Sequence, residues 1–421
     1  MWNTDRRIRM TDRRLDFAKL WIGQGVSEVG SRISRDGLPL MAVLVLGATP
    51  AGMGTLTALG ASAGLIFSLV AGVWVDRLRR RPVMIFADLA RAALLATLPL
   101  AAAFHVLSMA QLYVVVAITG TLTVFFDVAY QSMVPVLVTR EHLLDSNSRL
   151  AATSAAAEVA GPGITGILVQ TITAPLAILL DAASFLFSAL LIWRIRTPEP
   201  APQPQQHDSL WQEASAGLRF VRRQPLLRAI AVWSLFSNFF HSLVGPLYVL
   251  YAIRELHLSP AQLGLVIAMG GIGSLAGSAL APRIGRTLGP GRTFLLCALA
   301  IPVALVLIAL AHGPSLAAMA FLIAQQLLGD TAYTTYIVTE LSLRQSLAPD
   351  HVLGRVNAAM QLLTQGMWPL GAIAGGWLAT SLGVRPTLFI AAAGVAMSGV
   401  WLLFSPLRTL RHRIQPLAES V

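Results

Sequence analysis

Four ionisable residues, Glu28, Arg32, Arg35 and Asp36, stand in a segment otherwise rich in Leu, Ile, Val, Gly and Ser. At relative positions 0, 4, 7 and 8 they share one face of an α-helix. At the centre of a membrane-spanning helix each charge costs at least about 2.5 to 3.5 kcal/mol, so four unpaired ones facing lipid would cost roughly 10 kcal/mol or more. The stripe is therefore expected to face protein or a polar cavity. Its signs cancel, and Glu28 with Arg32, and Arg32 with Asp36, have the i,i+4 spacing of ion pairs. Two chemistries fit: a structural ion-pair cluster, or a pathway that handles substrate or protons. Arg32 and Arg35 favour an anionic or zwitterionic substrate.

Further polar residues in apolar surroundings are candidates for the same pathway. They are Asp127 and Gln131, Glu158, Asn238 and His241, Gln325, Gln326 and Asp330, and Gln361 and Gln365. Carboxylates in low dielectric can exchange protons near neutral pH, which makes Glu28, Asp36, Asp127 and Glu158 the coupling candidates. His241 reads as a packing or cavity-lining residue. Asp88 and Arg91, one turn apart, are expected to brace the basic loop that precedes them.

The elements that must position these residues follow from composition. Of the 421 residues, 55% are hydrophobic and only 12% charged, and the mean hydropathy is +0.68; the balance is that of a membrane protein. Apolar stretches of roughly 20 residues, enough to cross a core of about 30 Å, recur along the chain. Twelve fit, near 17–46, 51–75, 82–104, 109–138, 145–169, 174–196, 224–252, 259–283, 291–312, 314–343, 352–380 and 383–406. The net charge of +11 is concentrated in alternate loops. Arg6, Arg7, Arg9, Arg13 and Arg14 precede span 1, and Arg77, Arg79, Arg80 and Arg81 follow span 2. Arg194, Arg196, Arg219, Arg222 and Arg223 separate spans 6 and 7, and Arg408, Arg411 and Arg413 follow span 12. The opposite loops hold almost only Arg254 and Arg385. The positive-inside rule then predicts two cytoplasmic termini in a cell (inner) membrane protein, and the pattern argues against a nucleic-acid-binding patch.

The long hydrophilic interruption near the midpoint divides the chain into an N-terminal six-helix bundle (1–196), a linker (197–223) and a C-terminal six-helix bundle (224–421). Within the linker, Leu210, Ala214, Leu218 and Val221 form one stripe of a short amphipathic helix expected to lie at the lipid interface. The two bundles match at an offset of 210 residues: Thr49-Pro50-Ala51, Gly54 and Gly60 correspond to Ser259-Pro260-Ala261, Gly264 and Gly270. Asn147, Gly161, Gly166 and Leu168 correspond in the same way to Asn357, Gly371, Gly376 and Leu378. Because the offset spans six helices, the copies keep one membrane orientation, and parallel repeats of this kind hold a substrate near the midplane. The fold class expected is an all-α membrane protein of twelve transmembrane helices in two parallel repeats.

The run Gly72-Val73-Trp74-Val75-Asp76-Arg77-Leu78-Arg79-Arg80-Arg81 resembles the signature loop of the major facilitator superfamily, Gly-x-x-x-Asp-Arg-x-Gly-Arg-Arg, with Arg79 in place of the second glycine. Phe125-Phe126-Asp127-Val128-Ala129 with Pro135, Gly161-Pro162 with Gly166, Asp181, and Gly354-Arg355-Val356-Asn357-Ala358 resemble its bacterial exporters of the enterobactin-exporter and macrolide-efflux type. The resemblance covers essentially the whole chain. It implies the major facilitator fold and makes Gly72, Asp76, Arg77 and Arg80 a conformational latch. A Gly-Pro-x-x-Gly element in span 5 goes with antiport in that family; it is incomplete in this chain, where Thr165 takes the place of one glycine. Here Gly161, Pro162 and Gly166, echoed by Gly371, Gly375 and Gly376, can equally serve close helix packing.

Other classes lack their marks. No phosphate-binding Gly-x-x-x-x-Gly-Lys-Ser/Thr loop or His-Glu-x-x-His motif occurs, so ATP and a metal are not expected. The single cysteine, Cys297, supports no disulfide or thiol chemistry. No catalytic constellation argues for a lipid enzyme, and no extramembrane domain for a sensor. The expectation is a secondary transporter of a small molecule in the lipid bilayer, with no cofactor and a proton gradient as its energy source. Efflux by antiport stands ahead of uptake or uncoupled diffusion. Nothing implies oligomerisation.

Overall fold

The computed structural model describes residues 2–75, 77–199, 210–314 and 316–409, with backbone only at 2–12, 68–70, 72, 73, 210–214, 350, 351 and 409. Among the described residues the secondary structure is helical throughout. In chain order the helices are α1 (Trp2–Leu44), α2 (Pro50–Val75), α3 (Arg80–Ala103), α4 (Met109–Leu137), α5 (Leu143–Ile172) and α6 (Ala174–Trp193). They continue with α7 (Leu210–Arg223), α8 (Pro225–Ser242), α9 (Gly245–Arg254), α10 (Pro260–Leu288), α11 (Pro290–Leu310) and α12 (Leu316–Leu347). The last three are α13 (Asp350–Gln365), α14 (Met367–Leu382) and α15 (Val384–Leu403).

Nine helical stretches among the described residues are long and apolar enough to cross a membrane. The three expected spans outside that set are rich in polar residues or broken: α1 holds its ionic stripe, α12 holds Gln325, Gln326 and Asp330, and span 11 is interrupted. Large apolar side chains such as Phe86, Phe104, Trp193, Trp377 and Met397 are more than 60% exposed. In water such a surface would associate; against acyl chains it is solvated.

Two predicted spans are broken rather than continuous. Span 7 divides into α8 and α9, and span 11 into α13 and α14. Prolines explain both breaks. A proline ring collides with the carbonyl four residues earlier, and α8 ends at Ser242, four residues before Pro246, while α13 ends at Gln365, four before Pro369.

The chain divides into two compact units, one of residues 1–48 and 59–207, the other of 49–58 and 208–421. The first turns of α2 fall in the second unit because glycines let backbones meet there: a Cβ added at Gly54 would lie 2.6 Å from the Ala372 carbonyl oxygen and 3.0 Å from the Gly376 Cα. In the second unit α7 docks on α13, where Gly217 is buried against the Arg355 carbonyl. The linker helix thus has a protein partner on its Gly217 side, which corrects the purely interfacial placement that its apolar stripe predicts. Leu218 remains exposed and Val221 is buried; the side chains of Leu210 and Ala214 lie outside the described residues.

The 210-residue repeat extends to backbone detail. The α5–α6 junction turns at Thr173 (φ 79°) and the α14–α15 junction at Gly383 (φ 92°), and each residue's N–H donates to the carbonyl four positions back. A non-glycine residue at positive φ is uncommon, so the shared conformation reflects the repeat rather than residue preference. The signature loop departs from it. Gly289, the counterpart of Arg79, has φ 79°, whereas Arg79 is extended at φ −71°, ψ 129°. With arginine in place of glycine, the first copy lacks the left-handed turn of the second.

In the first unit the chain leaving α6 is tied to α1 by Asp16, which precedes the apolar part of α1 and is 2% exposed. Its carboxylate accepts from the Lys19 Nζ at 2.7 Å, the Arg196 and Thr197 backbone N–H groups at 3.0 and 2.8 Å, and the Thr197 hydroxyl at 2.7 Å. Burial alone would raise its pKa; these donors outweigh burial and hold it below the ordinary aspartate value. A depressed pKa stabilises the fold at pH values above the unfolded-state pKa, and that contribution is lost as pH falls through the folded one. Asp16→Asn is expected to cost about 1–2 kcal/mol at neutral pH, the worth of charged hydrogen bonds. The melting temperatures of wild type and variant should differ at pH 7 and converge on acidification; a gap that persists in acid would refute the assignment.

Candidate functional site

In the first unit α1, α4 and α5 enclose a cavity of about 240 Å³ whose wall carries Glu28, Asp127 and Gln131 together with Trp21, Tyr130 and Ser154. Gln24 and Ser154 donate to Glu28 at 3.5 and 3.3 Å, and the Trp21 indole N–H donates to Thr153 Oγ1 at 2.9 Å. Tyr130 and Gln131 also line an adjoining cavity of about 680 Å³ with Pro135 and Asn147. Trp21 also borders a third cavity of about 440 Å³, whose rim holds Arg13, Arg14, His142 and Arg149. A polar tract therefore leads from the arginine-rich end of the bundle to two carboxylates.

The ionic stripe is paired, but not as its spacing suggested. Arg32, 7% exposed, pairs with Glu158 of α5 and lies 3.9 Å from Glu28. The expected Arg32–Asp36 pair does not form. The reason lies on α5: a Cβ at Gly161 would sit 2.7 Å from the Arg32 Cβ and 2.9 Å from its Cγ. That glycine accepts the stem of Arg32 and aims its guanidinium at Glu158, one turn back along α5. Arg35 is exposed, and Asp36 is half-buried. Thus Gly161 serves helix packing by seating a charge, while Pro162 and Gly166 are buried in α5.

Asp88 and Arg91 do not brace the basic loop. Both are buried, paired with one another, in the core of the bundle. The Arg91 guanidinium lies 4.5 Å from the Phe126 ring centroid and 4.1 Å from that of Phe185, and it donates to Thr123 Oγ1 at 3.2 Å. These two cation–π contacts join α3 to α4 and α6. At the loop itself, Arg81 carries a role that its sequence position did not reveal: its side chain donates to the Ile192 and Trp193 carbonyls at the end of α6, and its N–H to Glu199 at 2.7 Å. Unsatisfied carbonyls at a helix end are the signal such an arginine answers. Of the latch residues, Arg77 is exposed and Arg80 opens α3; Asp76 and the surroundings of Gly72 lie outside the described residues.

In the second unit Asn238 donates to the Ser234 carbonyl at 2.7 Å and accepts from Trp368 Nε1 at 3.3 Å. His241 stacks on Tyr333 with centroids 5.8 Å apart and lies 6.0 Å from Trp368. Asp330 and Gln326 face the bare backbone of Gly270, and Gln325 is buried. Gln361 and Gln365 are exposed and 3.5 Å from each other. Gly371 and Gly375 of α14 pack against Phe239, Ser242 and Leu243 at the break of span 7.

Comparison with known proteins is consistent with this architecture. A family model described as Major Facilitator Superfamily matches residues 20–372 and 234–419. The "Multidrug efflux pump Tap" of Mycolicibacterium fortuitum is 28% identical over 356 residues, 81% of this chain and 84% of that protein. "Macrolide efflux protein A" of Streptococcus pyogenes is 22% identical, covering 88% and 91%. Among solved structures, a point mutant of the nucleoside transporter NupG superimposes with a TM-score of 0.75 at 12% identity over 92% of this chain and 99% of the other. A bacterial homologue of the iron transporter ferroportin gives 0.71 at 17% identity over 93% and 98%.

Proposed function

The chain belongs to the Major Facilitator Superfamily, and from that premise we propose that it exports a small amphiphilic compound in exchange for protons. It is a multi-pass membrane transporter, not an enzyme. The observation that carries the finer reading is the cavity in which Glu28 and Asp127 stand beside Trp21 and Tyr130. Two carboxylates on one wall can exchange protons or hold a cation, and aromatic faces suit an apolar or cationic body. This favours a cationic amphiphile over the anionic substrate that Arg32 and Arg35 suggested, because Arg32 is already paired with Glu158. Export is the direction named for the efflux-pump relatives, and Gly161-Pro162 in α5 matches part of the antiport element, with Thr165 in place of its last glycine. The arginine distribution supports two cytoplasmic termini.

The test is flux of a lipophilic cationic dye in proteoliposomes under an imposed pH gradient. Uphill dye movement is expected to reverse with the sign of the gradient and to disappear in Glu28→Gln and Asp127→Asn. Flux indifferent to the gradient would remove proton coupling, and variants that keep gradient-driven accumulation would remove these carboxylates from it.

A further inference from the structure

We propose that the cleft between α1, α3 and α6 at the arginine-rich end of the first unit is a binding site for the headgroup of an anionic phospholipid. It is separate from the transport cavity: a space of about 700 Å³ lined by Lys19, Arg81, Arg194 and Arg196, with Asp16 and Trp193 in its wall. Four cations face one carboxylate.

That carboxylate is unavailable. Asp16 is saturated by Lys19 and by the Arg196–Thr197 backbone and hydroxyl. The other nearby acid, Glu199, accepts from the Arg81 N–H. Lys19 donates also to the Arg194 carbonyl at 3.0 Å, and the Arg81 guanidinium is spent on the end of α6. Arg194 and Arg196 are exposed and have no carboxylate partner among the described residues. Two guanidinium groups anchored through their backbone and left without an anion form a receptor for a phosphodiester, which arginine binds in bidentate fashion.

The occupant is set by what lies beside the cleft. Along α6, Leu179, Leu186, Leu190 and Trp193 are 42%, 51%, 42% and 64% exposed, and their spacing keeps them on one side of the helix. From Leu179 to Trp193 the helix rises about 21 Å, enough for an acyl chain in one leaflet of a core about 30 Å thick. Trp193 at the foot of this track is the residue type of the membrane interface. An apolar track ending in a basic pocket takes a lipid with a negative head, whereas a zwitterionic lipid would bring a further ammonium among four cations.

Lys19 is the only lysine in the chain, so the site carries its own reporter. The full-length protein is reconstituted in phosphatidylcholine vesicles with or without phosphatidylglycerol, treated with an uncharged amine-acylating reagent, and the Lys19 peptide is quantified by mass spectrometry. Wild type should label severalfold more slowly with phosphatidylglycerol present, and Arg194→Gln/Arg196→Gln should lose that protection in the same vesicles. Equal labelling of wild type in both lipids overturns the site. Equal slowing of wild type and variant reduces it to bulk surface charge, and equal protection by inorganic phosphate in phosphatidylcholine alone reduces it to a free-anion site; each rejects the proposal. The wild-type comparison stands even if the double variant does not fold.

Discussion

Arg32→Gln is expected to lower the melting temperature and with it the amount of active exporter, and adding Glu158→Gln should restore much of the stability. Arg32 is 7% exposed and stands between two carboxylates, Glu158 and Glu28. Removing one partner of a buried pair costs about 3–5 kcal/mol because the other charge is left uncompensated, whereas removing both can be nearly neutral. Because the Glu158 side chain is 54% exposed, water screens part of the charge left behind, and the expected cost in stability falls below that range, to about 2 kcal/mol. The thermal midpoints of the two single variants and the double variant, set in a mutant cycle, measure the coupling. Additive shifts would mean that the pair contributes nothing, and would return the stripe to a set of independent cavity-wall charges.

Gly375→Val should prevent stable accumulation of the protein, while Gly163→Val, the same substitution in the repeat-related α5, should be tolerated. At Gly375 an added Cβ would lie 2.5 Å from the Leu243 carbonyl oxygen and 2.7 Å from the Leu243 Cα. Both are backbone atoms at the break between α8 and α9, so relief requires moving a helix end, and overpacking costs about 1–3 kcal/mol or more. At Gly163 nothing lies within 4 Å of the same atom. Size-exclusion profiles and melting temperatures of the two variants decide it. Equal behaviour would show that α14 does not depend on that close approach.

These contacts mark where sequence reasoning stops. The spacing of Gly371, Gly375 and Gly376 after Pro369 announces a close-packed helix, yet it does not say which backbone comes close. That the partner is the broken middle of span 7 follows only from the three-dimensional path, in which Pro246 ends α8 at Ser242 and turns Phe239, Ser242 and Leu243 toward α14. The ionic stripe behaves in the same way. Positions 28, 32 and 36 share a helix face by periodicity alone, so Arg32 has two carboxylates at equal sequence distance. A third, Glu158, lies 126 residues away and takes the pair.

Hydropathy, the parity of the arginines and the 210-residue repeat by themselves determined an all-helical membrane protein of duplicated halves, because the bilayer admits few ways to satisfy a backbone and each leaves a one-dimensional pattern. Tertiary structure alone decided the partners of Arg32, the contacts of Arg91 with the rings of Phe126 and Phe185, and the grip of Arg81 on the end of α6. Those choices depend on which neighbour a side chain meets across a helix interface, and helical periodicity fixes the direction of a residue without fixing what stands opposite it.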